Sequence, residues 1–80
     1  MKYTIALFGI TKEIVGNSST TLEVSDTLTT DGLLTLLRAK YPQLAAIRSL
    51  LLAVNNEYAE QDLVLSERDE IALIPPVSGG

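Results

Sequence analysis

The chain has 80 residues, enough for one small domain, and 46% of them are apolar, so a packed core is expected rather than disorder. It has no cysteine and no histidine, which excludes disulfides, thiolate nucleophiles, Cys/His zinc sites and the commonest general base. The net charge is −4 and the six cations (Lys2, Lys12, Arg38, Lys40, Arg48, Arg68) form no basic stripe, so no nucleic-acid partner is expected.

Lys2 to Phe8 alternates between Tyr3, Ile5 and Leu7 on one side and Lys2, Thr4, Ala6 and Phe8 on the other, the period of a strand. Met1-Lys2 leads into it without the apolar h-region of an export signal, and no apolar run nears the ~20 residues of a membrane span. A cytoplasmic protein with no membrane partner is expected. Gly9 breaks the pattern, Thr11 to Val15 suits a helical turn, and Gly16-Asn17 stops it. Thr20 to Val24 reads as a second strand, with Leu22 and Val24 inward, tied to the first by an unusually long hairpin loop.

Thr29 is a candidate helix N-cap, and Asp31 suits the positive end of the helix dipole. Leu33, Leu34, Leu36, Leu37 and Tyr41 make an apolar face at helical spacing, which Pro42 ends. Gln43 to Leu50 is a second, shorter helical piece, with Leu44 and Ile47 packed. Leu51 to Val54 is a third strand, and Asn55-Asn56 is a turn, because Asn tolerates the left-handed conformation. Extended structure resumes at Tyr58-Ala59. Asp62 to Arg68 is a polar connection pinned by Leu63 and Leu65, and Glu70 to Ile74 is the last strand. Pro75-Pro76 cannot donate ladder hydrogen bonds, so pairing stops there. One long helix across one face of about four strands is a two-layer α+β domain. It divides as residues 1–74, the folded part, and 75–80, a flexible tail ending in Gly-Gly.

Two features point toward function. The first is the tail. Small residues suit any frayed end, but here Gly79-Gly80 follows a strand and a stiff Pro-Pro, which favours an extended chain held off the body. Without Cβ atoms such a tail can enter a narrow tunnel. Its reactive group is then the Gly80 α-carboxylate, which is ionised at neutral pH and a poor electrophile until activated. No nucleotide-binding motif is present, so activation belongs to another protein. The second feature is the sheet face away from the helix. Ala6, Phe8, Ala72 and Ile74 point there, and a face open to water should be polar. Either the Thr11–Val15 segment covers it, or copies self-associate through it, or it is a docking patch beside the tail. Glu57, Glu60, Asp62, Glu67, Asp69 and Glu70 read as solvated charges without calcium-loop spacing, so no metal site is expected.

Three stretches, Lys12-Glu13-Ile14-Val15-Gly16, Leu52-Ala53-Val54-Asn55-Asn56-Glu57-Tyr58 and Ile74-Pro75-Pro76-Val77-Ser78-Gly79-Gly80, resemble the small-subunit family of molybdopterin synthase, and the likeness spans essentially the whole chain. The resemblance implies a ubiquitin-like β-grasp fold with a mixed sheet of about four to five strands, one main helix packed across one face, and no bound cofactor. It implies that an E1-like adenylating enzyme converts the Gly80 carboxylate to a glycyl-adenylate, and that a persulfide sulfur donor replaces AMP to leave a thiocarboxylate, 1-thioglycine, at Gly80. The loaded tail, Gly79 included, then enters the large synthase subunit and delivers sulfur to cyclic pyranopterin monophosphate, within a heterotetramer. By matching position, Phe8, Tyr58, Ile74, Pro75, Pro76, Val77 and Ser78 contact the partner; the family often carries an aromatic where Ile74 stands. Thiamine, tRNA-thiolation and cysteine-biosynthesis carriers share the fold and the Gly-Gly, and a tungsten-pterin pathway is a further alternative. Two further readings are a protein modifier that forms isopeptide bonds and a plain binding domain.

Overall fold

The structure, a computed structural model, describes residues 1–76. The opening alternation forms β1 (Lys2–Leu7), with Tyr3, Ile5 and Leu7 buried. Phe8 is not the last strand residue but the N-cap of α1 (Gly9–Val15), a helix that starts where a break was expected. Thr11 makes the difference. Its Oγ1 accepts from the Phe8 N–H at 3.1 Å and donates to the Phe8 carbonyl at 2.6 Å, which turns the chain into a helix. Gly9 supports that turn with a φ of +55°. The long hairpin loop therefore contains a two-turn helix, ended by Gly16 in the left-handed conformation. β2 (Ser19–Glu23) begins one residue earlier than read from the sequence, although Val24 still donates to the Met1 carbonyl at 2.8 Å.

α2 (Thr30–Lys40) is capped as expected: Thr29 Oγ1 accepts from the Gly32 N–H at 3.2 Å, and Asp31 occupies the first turn. It buries Leu33 and Leu37 fully. α3 (Pro42–Ala45) is shorter than the Gln43–Leu50 piece expected. Just beyond its end the Arg38 guanidinium donates to the Ile47 carbonyl at 3.1 Å. β3 (Leu51–Val54) and the short β4 (Glu57–Tyr58) are joined by Asn55 and Asn56, both at positive φ (54° and 69°), the conformation a two-residue hairpin demands. Asn55 is also tied to the next strand: its Oδ1 accepts from the Glu70 N–H at 3.0 Å, and its Nδ2 donates to Asp69 Oδ1 at 3.1 Å. In the connection after β4, the Leu65 side chain is buried but that of Leu63 is exposed; Leu63 holds the connection through its main chain, its carbonyl accepting from the Thr30 N–H at 2.9 Å. β5 (Ile71–Ile74) closes the fold.

The sheet order is β2-β1-β5-β3-β4. β1 and β5 pair in parallel, and the other neighbours are antiparallel. This mixed five-strand sheet with a helix across one face is the β-grasp arrangement; the two-residue β4 falls where extended structure was expected to resume, one residue earlier than Tyr58-Ala59. One core fills the space between the layers, with Tyr3, Ile5, Leu7, Leu52, Ile71 and Leu73 from the sheet meeting Leu33, Leu37 and Leu44.

Tyr3 carries the one phenol in that core. Its hydroxyl donates to the Leu65 carbonyl at 3.2 Å and accepts from the Leu28 N–H at 3.1 Å, joining the two stretches of chain that flank the sheet end. Tyr3→Phe keeps the ring but orphans both main-chain groups, so a loss of about 1–3 kcal/mol is expected. A urea titration should show a lower midpoint at unchanged slope. An unmoved midpoint would mean that water replaces the hydroxyl at no cost.

Candidate functional site: the outer sheet face and the exit of the tail

The parallel pairing of β1 and β5 decides where the site lies. Leu7 stands beside Leu73, so both strands end at the same edge of the sheet. Continuing that register sets Phe8 next to Ile74, and Leu51 pairs with Ile74 from the other side. Strand alternation turns this row away from the helices. The next row on the same face runs Ala6, Ala72, Ala53, Tyr58 across four strands.

Three alanines side by side make a low floor. Around it stand Phe8 at 51% exposure, Leu51 at 52% and Tyr58 at 70%. Ile74 is half-buried between them. Further from the tail the face changes character: Thr4 pairs with Thr21, and Lys2 with Glu23. The outer face is thus apolar at the end where the chain leaves β5 and polar at the other.

The Thr11–Val15 segment does not cover this surface. Thr11 is fully buried, and Ile14 and Val15 pack against the core on the helical side. Phe8 and Leu51 are left open, with large apolar side chains on a face that water alone would not favour.

Of the residues read from the sequence as partner contacts, Phe8, Tyr58 and Ile74 are brought onto one surface, and Pro75 and Pro76 leave from its edge. Pro75 is half-buried and Pro76 exposed. Val77, Ser78, Gly79 and Gly80 lie outside the described residues. Leu51 was missed. In the run Leu50-Leu51-Leu52 nothing marks one leucine as outward; only the burial of Leu52 and Val54 on alternate positions, fixed by pairing with β5, reveals it. Among the described residues no group of three or more carboxylates is placed to hold a metal ion, and no helix is long and apolar enough to cross a membrane. The surface is equipped to bind; no described side chain on it is equipped for covalent chemistry.

The family model described as the ThiS family matches residues 5–80. The chain belongs to the ThiS family. A relative, the molybdopterin synthase sulfur carrier subunit of Dictyostelium discoideum, is 41% identical over 83 aligned residues that cover 99% of this chain and 96% of the relative. Among solved structures, SAMP1 from Haloferax volcanii superposes with a TM-score of 0.83 at 26% identity, covering 100% of both chains. The subunit 1 and 2 complex of molybdopterin-converting factor from Helicobacter pylori contains a chain that matches with a TM-score of 0.67 over 100% of both chains. At 21% identity that likeness shows the fold alone. The ThiS match and the relative both run to the C-terminal region, so the likeness includes the tail as well as the β-grasp body.

Proposed function

We propose that this ThiS family member is the sulfur-carrying small subunit of a molybdopterin synthase, acting through a thiocarboxylate on Gly80. The observation that carries the reading is the apolar cluster of Phe8, Leu51, Ile74 and Tyr58 at the edge from which the chain departs toward Gly79-Gly80. A docking face there delivers the tail end into whatever protein it binds. The sequence likeness to a molybdopterin synthase sulfur carrier subunit supplies the pathway.

In this reading the Gly80 carboxylate oxygen attacks the α-phosphorus of ATP on an E1-like enzyme, and pyrophosphate leaves. The terminal sulfur of a donor persulfide then attacks the acyl carbon and AMP departs. A second thiol breaks the sulfur–sulfur bond, forming a disulfide with the donor and leaving the thiocarboxylate. The large synthase subunit receives the loaded tail and passes the sulfur to cyclic pyranopterin monophosphate. Catalytic groups then belong to the partners. This agrees with a chain that has neither cysteine nor histidine. The carrier holds no cofactor of its own and works in the cytoplasm.

A second reading, a protein modifier, is favoured by the likeness to SAMP1, a small archaeal modifier protein. It shares the adenylation step and differs in the nucleophile, a lysine amine instead of sulfur. Intact mass spectrometry separates the two. After incubation with an E1-like enzyme, ATP and a persulfide donor, the carrier gains the mass difference between one sulfur and one oxygen. A ladder of higher-mass conjugates, with no such discrete product, would establish the modifier instead.

A further inference from the structure

Gly9 sits between the docking face and the root of the tail, and its backbone is unusual in two ways. Its φ is +55°, a region that other residues enter at a cost. A Cβ placed on it would lie 3.3 Å from Pro75 Cγ, tighter than ordinary van der Waals contact. The pyrrolidine ring of the first tail residue therefore rests over the one residue that has no side chain to push it away. Phe8 on one side of Gly9 stands in the apolar cluster, and Thr11 on the other is locked to Phe8 by two hydrogen bonds. The seat is fixed to the folded body at both ends.

We infer that Gly9 is a positioning residue for sulfur delivery: it seats Pro75 and so sets the direction in which the chain leaves β5. Pro75 has its own φ fixed by the ring, so a small displacement of that ring is passed down the chain rather than absorbed at the first bond. The chain beyond Pro76 starts from the direction that Pro75 gives it, so a tilt at Pro75 changes how the tail is presented to the partner. Docking and delivery then separate: a side chain at Gly9 leaves the apolar face intact and misdirects the tail. This inference rests on the carrier reading for its rate measurement, but not for its structural one.

The test uses Gly9→Ala, Gly9→Asn, Pro75→Ala and the double variant Gly9→Ala/Pro75→Ala in the full-length chain. Asn tolerates a positive φ, so Gly9→Asn brings the Cβ with less backbone strain and covers the case in which Gly9→Ala folds poorly. The first readout needs no partner: residual dipolar couplings of the Pro75 and Pro76 Cα–Hα bonds in the free protein. Both Gly9 variants should reorient these bonds while the couplings of β1 and β5 stay put. The second readout starts from carriers preloaded as thiocarboxylates. Single-turnover transfer to the large subunit should fall by about tenfold or more, with the dissociation constant for docking changed less than about threefold. The loss from Gly9→Ala should shrink severalfold when Pro75 is already Ala, because the clash partner is gone.

Unaltered Pro75 and Pro76 couplings in Gly9→Asn would overturn the inference. So would equal losses from Gly9→Ala with and without Pro75, or a transfer loss matched by the loss in docking. If the wild-type protein itself takes up no sulfur, the carrier reading fails and the dipolar couplings alone decide the role of Gly9.

Discussion

A chain ending at Gly79 is expected to fold like the full-length protein and yet to carry sulfur at a rate at least about a hundredfold lower. The fold is expected to survive because, among the described residues, the last strand ends at Ile74 and the fully buried side chains nearest the C-terminus are Leu65 and Leu73. Deletion does not remove the reactive group, since Gly79 then bears the α-carboxylate. It draws that group back by one residue, about 3.3–3.6 Å along an extended chain. An adenylating site has to bring the carboxylate oxygen within attacking distance of a phosphorus atom, and misplacement by a single ångström can cost about a hundredfold. Intact mass gives the loaded fraction over time, and thermal unfolding gives the control. Sulfur uptake by the truncated chain at the full-length rate would move the chemistry away from the C-terminus.

The second large effect is expected on the docking face. Replacing Phe8 or Leu51 by Asp puts a charge where an apolar side chain now stands half-exposed. In the free protein the new carboxylate is solvated, so stability should change by no more than about 1 kcal/mol. In the complex it would be buried without a partner, and the protein loses the apolar contact as well. Costs of about 3–4 kcal/mol, on the order of a few hundredfold in affinity, are reasonable for truncating or charging an anchor of this kind. Titration calorimetry against the large subunit reads the affinity directly. Lys2→Glu, at the polar end of the same face, is the contrast and should shift affinity less. Equal effects at Leu51 and Lys2 would argue that overall charge, not this apolar cluster, governs association.

Much of this architecture was legible because local chemistry and tertiary packing agree. The alternation of Tyr3, Ile5 and Leu7 marks the inner face of β1. Thr29 caps α2 through its own hydroxyl, and Asn55-Asn56 adopts the positive φ values for which Asn is suited. The site residues Phe8, Tyr58 and Ile74 share a surface because strand parity survives the pairing of β1, β5, β3 and β4. Other parts depend on contacts between distant segments. α1 starts at Gly9 only because Thr11 ties back to Phe8, so a glycine that reads as a stop becomes a start. α3 ends at Ala45, and just beyond it the Ile47 carbonyl is taken by Arg38 from a different helix. Leu51 faces outward and Leu63 is exposed, although the same residue type is buried at Leu52 and Leu65. A leucine carries no mark of which way its strand will be registered or which loop will be covered.

The position of β5 has a mechanical consequence. It lies between β1 and β3 and runs directly into the tail. A partner that grips the tail and draws it inward while the outer face is held pulls along the strand axis. The ladders on both sides, Ile5/Ile71 to Leu7/Leu73 and Leu51/Ile74 to Val54/Ile71, are then loaded in shear. Their hydrogen bonds must yield together instead of opening one at a time, as they would if a strand were peeled from an edge. Traction along β5 is therefore expected to meet more resistance than the same force on an edge strand such as β2 or β4.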